Sequence, residues 1–294
     1  MKLTIFATLM LGCGASVAAS AAAPTDVPAA VYTDPAHDAA NPAKMEVVHI
    51  PSGGVLINGV AYVAAGAGPH PIMVLCHGLP GNEKNLDLAQ AVRRAGWTVL
   101  TFNYRGSWGS QGNFKFANNL EDADAVLAFV RDPANAKLLR ADPSRIVLAG
   151  HSMGGWVTAM TAAHDKGLIG AVMISAANMG NLHGGSRAAV RAEMADDMES
   201  LASTTPDAMT DELMAKTASF NFVSVAPALV RTKLFVLSSD DGLKPDTDGL
   251  IAAIQHAGGT QITALHVATD HPWSDQRIRL ESEVINWLKA LDKS

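Results

Sequence analysis

At 294 residues, 48% of them hydrophobic and 17% charged, the chain fits one generous globular domain, or one domain plus an insertion, with a large core. A formal net charge of −6 and no Lys/Arg block argue against nucleic acid as a partner. Aromatics at 5% leave the core to Val, Leu, Ile, Ala and Met.

The first residues read as an export signal. Met1 and Lys2 give a short positive start, LTIFATLML an apolar stretch, and ASVAASAAAP small residues suited to cleavage near Ala21 to Ala23. Residues 1–23 are therefore expected to be a signal peptide, and the protein periplasmic or secreted. The apolar run is short for a bilayer, so no membrane span is expected after cleavage. An uncleaved anchor and a lipoprotein signal ending at Cys13 are the other readings, the second poorly matched by Met10 and Leu11. Cleavage would remove Cys13 and leave Cys76 alone, with no intramolecular disulfide. In IMVLCHG, Cys76 reads as a small core hydrophobe.

Residues 24–44, rich in Pro, Ala and Asp, read as an N-terminal linker or arm. The domain is expected over residues 45–294. It opens with a hairpin around PSGG, in MEVVHIPSGGVLINGVAYV. From IMVLCHG onward, strand-like and helix-like stretches alternate: NLDLAQAVRRAG (helix), WTVLTFNY (strand), NLEDADAVLAFVRD (helix), RIVLAGHS (strand), GGWVTAMTAAHD (helix), IGAVMISAA (strand). The pattern resumes with TKLFVLSSD, DTDGLIAAIQHAGG, QITALHVAT and QRIRLESEVINWLKAL. Apolar strands alternating with helices indicate an α/β fold, a mostly parallel central sheet with helices on both faces. Residues 180–230 break the alternation. SRAAVRAEMADDMESLASTT and DAMTDELMAKTASF read as two helices of a cap or lid insertion. Their Met194, Met198, Met209 and Met214 suit either an adaptable wall or packing onto the sheet.

Ligands of open parallel sheets bind at the carboxyl ends of the strands, and four reactive stretches fall there. GHSMG, residues 150–154, follows a strand and opens a helix, the context in which a G-x-S-x-G turn exposes a nucleophilic serine, Ser152. Side chains at Gly150 or Gly154 would clash in so tight a turn. The helix N-terminus favours a developing anion. HGLPG, residues 77–81, suits an oxyanion site, which needs backbone N–H groups. Pro80 has none, so Leu79 becomes the donor, paired with the amide of Met153. His77 reads as structural. SSDDGLKP, residues 238–245, offers two carboxylates, Asp240 and Asp241; one suits the acid that orients a histidine, the other a turn or cap. TDHPWSD, residues 269–275, holds His271, the one histidine in a loop at a late strand end and hence the candidate base. His266 lies inside a strand, His256 inside a helix, and His164 and His183 outside this context. Pro272 and Trp273 suit fixing the loop, and Trp273 equally suits the core.

The order Ser152, Asp, His271, with HGLPG, NYRGSWGS, GHSMGG, SSDDGLKP and DHPW in sequence, resembles the α/β-hydrolase superfamily, in its esterase and serine-aminopeptidase-like branch, from about residue 45 to the end. The resemblance implies an acid four residues before a proline. Asp241 and Pro245 match, with Asp240 as the alternate. Ser238 departs from the pattern, where a glycine is common. In NYRGSWGSQGNF the resemblance points to a bracing loop, held by Arg105 and its glycines, with Trp108 and Phe114 near the pocket. The implied activity is a serine hydrolase cleaving carboxylic esters through an acyl-enzyme. An aminopeptidase-type amide hydrolase, holding a substrate amine with acids from 193–212, is one alternative. A non-catalytic binder on the same fold is the other. No metal spacing and no G-x-G-x-x-G after a strand occur, so no cofactor is expected. The expected partner is a small ester or short peptide substrate.

Overall fold

A computed structural model describes residues 26–291; the expected signal peptide, residues 1–23, lies outside the described residues. The N-terminal arm carries one helical turn, α1 (Ala29–Tyr32), which the sequence did not signal. It is docked: Arg94 donates to the carbonyls of Ala30 and Val31 at 2.5 and 3.0 Å. The hairpin expected around PSGG is β1 (Lys44–Ser52) and β2 (Val55–Val63). Then follow β3 (His70–Cys76), α2 (Leu86–Arg94), β4 (Thr98–Phe102), α3 (Phe116–Arg131), α4 (Pro133–Leu138), β5 (Ala141–His151), α5 (Met153–His164) and β6 (Leu168–Ile174). After the cap come β7 (Leu234–Ser238), α8 (Lys244–His256), β8 (Ile262–His266) and α9 (Arg277–Leu291), by which point the cap has added α6 (Arg187–Asp196) and α7 (Pro206–Phe220).

The strands form one sheet in the order β1-β2-β4-β3-β5-β6-β7-β8. The first two pairings, β1 with β2 and β2 with β4, are antiparallel and the rest parallel. The reason lies in the strand sequences. In a strand successive side chains face opposite sides, and here both sides are apolar. In β5, Ile146 and Leu148 enter the core beneath α3, α5 and α8, while Val147 and Ala149 enter the core beneath α2 and α9. The same alternation runs through β3, β6 and β7, so a continuous apolar run is buried twice over. The outer strand β8 differs: Thr263, Ala264 and His266 are exposed, as expected of an edge with one neighbour.

The order reverses at β3. From there the chain steps to β4 on one side and later to β5 on the other, and ligands of open parallel sheets bind beyond the carboxyl ends at such a reversal. HGLPG follows β3 and GHSMG spans the end of β5.

The cap holds the two helices expected, the first shorter than its stretch. Ser186 and Thr205 cap α6 and α7 through their hydroxyls, but α6 stops at Asp196 and a short 3-10 turn covers Met198–Ser200. A further 3-10 stretch, Phe222–Leu229, leads back to the sheet. Met194 and Met209 are buried in the core and Met198 packs partly buried against it, whereas Met214 is exposed, so packing accounts for three of the four methionines. Among the described residues no helix is long and apolar enough to cross a membrane.

Candidate active site

Ser152 sits between β5 and α5 at φ +57° and ψ −123°, a backbone conformation that side chains with a Cβ adopt at a cost. The turn persists because its surroundings allow nothing else. A Cβ added at Gly150 would lie 2.0 Å from the Gly154 carbonyl oxygen, and one at Gly154 would lie 2.2 Å from that of Cys76. The Ser152 amide donates to the Ile174 carbonyl at 3.0 Å, and its own carbonyl accepts from Ala177 at 3.1 Å. The nucleophile candidate is thus bolted to the end of β6.

HGLPG closes over it. A Cβ on Gly78 would lie 2.9 Å from the Ser152 Cβ and 3.4 Å from its Oγ, so only glycine lets this loop come so close. Among the described residues neither the Leu79 amide nor the Met153 amide has a hydrogen-bond acceptor. Two unsatisfied donors flanking Ser152 are the requirement for holding an oxyanion. Burial pushes the His77 imidazole down to about 4, so it is neutral; its Nδ1 is 2.7 Å from the Gly78 carbonyl, and its ring leans on Tyr104. It shapes the loop.

His271 and Asp241 meet at the ends of β8 and β7. Nδ1 of His271 donates to the Asp241 carboxylate at 2.7 Å. The Asp241 side chain is only 4% exposed, and burial alone would raise its pKa. The hydrogen bond from His271, the Leu243 amide at 2.9 Å and the Ser239 hydroxyl outweigh burial and bring it down to about 2. Asp240, next in the chain, goes elsewhere: it accepts from His266 Nε2 at 3.0 Å. Among the described residues no hydrogen bond joins Ser152 Oγ to His271; such bonds commonly tighten only when substrate is present. The link between them runs through His151. Its ring centroid is 4.6 Å from that of His271, and its Nε2 meets the His271 carbonyl at 2.9 Å. Burial, then the neighbouring His271, lower the His151 imidazole to about 4. A neutral ring therefore backs His271, and nothing in the G-x-S-x-G pattern announced that role.

The surrounding loops are braced as well. Arg105 pairs with Asp122 and Glu121, each at 2.6 Å, and Asp122 also accepts from Ser52. Phe114 belongs to the core, edge-on to Phe116. Trp108 is partly exposed and reaches the HGLPG loop: its indole N–H donates to the Pro80 carbonyl at 2.7 Å. Ser200 Oγ donates to that same oxygen at 2.9 Å, and Asn82 donates to Glu199 at 2.6 Å. The cap is also stitched to α3, whose first amides, Phe116 and Ala117, donate to Glu212. The ties from the cap join residues 95 to 120 positions apart and carry no local sequence signal. Burial, then Glu193, Asp196 and Glu199, raise the Asp197 carboxyl to about 6 in the acidic turn beside them.

Residues 73–285 match the model of the Alpha/beta hydrolase family. The quorum-quenching protein AidA of Acinetobacter baumannii (strain MDR-ZJ06) is 35% identical over 104 residues, 33% of this chain and 33% of that protein. An uncharacterized 31.7 kDa protein of Escherichia coli is 35% identical over 102 residues, 33% of this chain and 34% of its own length. The matched region thus spans about a third of these curated relatives. Among solved structures, the thermophilic carboxylesterase EstE1, cloned from a metagenomic library, superposes with a TM-score of 0.64 at 21% identity, covering 85% of this chain and 90% of that one. An esterase of Pyrobaculum calidifontis gives 0.63 at 19%, covering 87% and 88%. At such identities the structural likeness speaks to fold alone.

Proposed function

The chain belongs to the alpha/beta hydrolase family, and from that premise we propose that it is a serine hydrolase acting on carboxylic esters through an acyl-enzyme. The observation that carries this reading is the meeting of strand ends: a strained serine after β5 with the glycine of HGLPG packed against it, and after β7 and β8 an enclosed Asp241 hydrogen-bonded to a half-exposed His271. Ser152 Oγ attacks the ester carbonyl while His271 takes its proton. The Leu79 and Met153 amides hold the oxyanion. Asp241, ionised at neutral pH, fixes the histidine tautomer and balances the imidazolium. His271 then protonates the departing alcohol, and water repeats the path to free the acid. Esters come first because an alkoxide needs less leaving-group help than an amine.

A fluorophosphonate probe should label the wild type and leave Ser152→Ala unlabelled. A wild type that resists the probe would overturn the reading. Turnover of p-nitrophenyl esters against aminoacyl anilides separates ester from amide chemistry. The second reading, amide hydrolysis beside a substrate amine, draws on the acidic turn of the cap, where Glu199 is hydrogen-bonded to Asn82 of the oxyanion loop. Anilide turnover well above ester turnover would favour it.

The proposal includes export. The N-terminal residues support it by their positive start, apolar run and small-residue end. Sequencing the mature protein from the periplasm or medium should begin just after Ala21 to Ala23.

A further inference from the structure

Two consecutive carbonyls of the loop that carries the base, those of His271 and Pro272, each accept a hydrogen bond from a side chain that the proposed chemistry does not use. His151 Nε2 donates to the His271 carbonyl at 2.9 Å. Arg277 Nη1 donates to the Pro272 carbonyl at 2.8 Å. Neither direction is open to choice: a carbonyl oxygen only accepts and a guanidinium only donates, so the His151 proton sits on Nε2. The His151 Nδ1 is then an acceptor, and among the described residues that buried atom has no hydrogen-bond partner. Protonation would leave an unpaired donor there, which is a second reason, after burial, for the ring to stay neutral.

The two side chains tie the base loop to the other two catalytic segments. His151 is the residue before Ser152, at the end of β5. Arg277 opens α9, and its guanidinium is anchored on the segment that follows HGLPG. Its Nε donates to one Asp87 oxygen at 2.7 Å, and its Nη2 donates to the other and, at 3.1 Å, to Asn85 Oδ1. Glu83 lies 3.9 Å from the same Nη2. Asn85 is 1% exposed and held at φ +55° at the start of α2, so the anchor is enclosed. One guanidinium thus serves acceptors about 190 positions apart in the chain as well as one in its own loop.

Asp241 takes the Nδ1 end of the His271 ring and fixes its rotation. It does not fix the main chain from which the ring hangs. A base has to lie within hydrogen-bond reach of the proton it takes, and a misplacement of about 1 Å can cost about 100-fold. We infer that His151 and Arg277 form a main-chain clamp that places His271 relative to Ser152, with Arg277 holding the base loop and the HGLPG segment to each other. The inference rests on the proposed roles of Ser152 and His271. Asp241 sets the ring and the clamp sets the loop. Both clamp residues act through the main chain of that loop; they are positioning residues.

The test uses His151→Phe, which keeps an aromatic ring and loses the donor, and Arg277→Lys, which keeps the charge but cannot serve Asp87, Asn85 and Pro272 together. On a p-nitrophenyl ester each should lower kcat about tenfold, the scale of one hydrogen bond, with KM unchanged. His151→Gln, whose amide N–H can stand where Nε2 stood, should recover most of the first loss. Arg279→Met breaks an ion pair on the same helix, Arg279 Nε to Glu283 at 2.7 Å, and should change kcat by less than about twofold. Unchanged kcat in both clamp variants, a raised KM at unchanged kcat, or an equal loss in Arg279→Met would overturn the clamp. Should Arg277→Lys fail to fold, the His151 variants carry the test. A readout independent of turnover is the downfield proton resonance of His271 Nδ1–H, identified by its disappearance in Asp241→Asn. It should shift in Arg277→Lys and His151→Phe and stay in place in Arg279→Met. A resonance unmoved in the clamp variants would overturn the clamp and leave the serine-hydrolase reading standing. A shifted resonance in a protein that no fluorophosphonate labels would instead fail only that reading.

Discussion

Two histidine–aspartate pairs sit side by side at one edge of the sheet, and the burial of their acids sets them apart. His271–Asp241 and His266–Asp240 have contacts of 2.7 and 3.0 Å, and their histidine side chains are 36% and 37% exposed. The acids are consecutive in the chain, yet Asp241 is 4% exposed and Asp240 is 60%. Water can orient and screen Asp240, so its pair holds nothing firmly. Asp241 is instead held by protein donors, the Leu243 amide and His271 Nδ1, which orient its carboxylate. A histidine next to a carboxylate is thus not enough for a relay of protons. The acid must be enclosed, because enclosure is what turns an ion pair into an orientation.

The largest way to break this comparison is to neutralise each acid in turn. Asp241→Asn should lower kcat by about 10³ to 10⁴, since the amide favours the wrong histidine tautomer, while Asp240→Asn should stay close to wild type in ester hydrolysis. Similar losses from both would mean that enclosure does not matter.

Acid titration sharpens the contrast. Asp241 has its carboxyl lowered from 3.8 to about 2 in the folded state. Its contribution to stability is present above the unfolded value and is lost as pH falls through the folded one. The urea-midpoint gap between wild type and Asp241→Asn should therefore narrow as pH drops from about 4 to about 2. A gap that stays constant across that window would contradict the enclosure.

The smallest effect concerns the exposed pair itself. His266→Ala should cost under about 1 kcal/mol in denaturant unfolding, and less still at high salt. A loss several times larger would promote His266–Asp240 from surface pair to structural element.

Much of this site was legible in the chain because its chemistry sits at strand ends, and buried parallel strands announce themselves as apolar runs closed by glycine. Gly150 and Gly154 mark a turn with no room for a side chain, and His271 falls in a loop after the last strand. The choice between Asp240 and Asp241 was not legible in the residues themselves; only the spacing to Pro245, read through a family resemblance, favoured Asp241. Both lie in the bend beyond β7, where no strand period assigns a side, and which carboxylate is enclosed depends on what other segments place there. Trp273 shows the same limit. Its sequence allowed a loop role or a core role, and it has both, because its ring is buried while its N–H reaches a serine 98 positions away.

By itself, then, the sequence determined the alternation of strands and helices, the glycine-closed turn at Ser152, and the prolines and glycines that shape HGLPG. These depend on neighbours within a few residues, where sterics and periodicity act. Tertiary structure alone decided which aspartate His271 meets, that neutral His151 backs it, that the cap is stitched to Pro80 and to α3, and that the Trp273 indole reaches Ser175. Each of these joins segments far apart in the chain, and burial and hydrogen-bond direction there are set by packing rather than by local sequence.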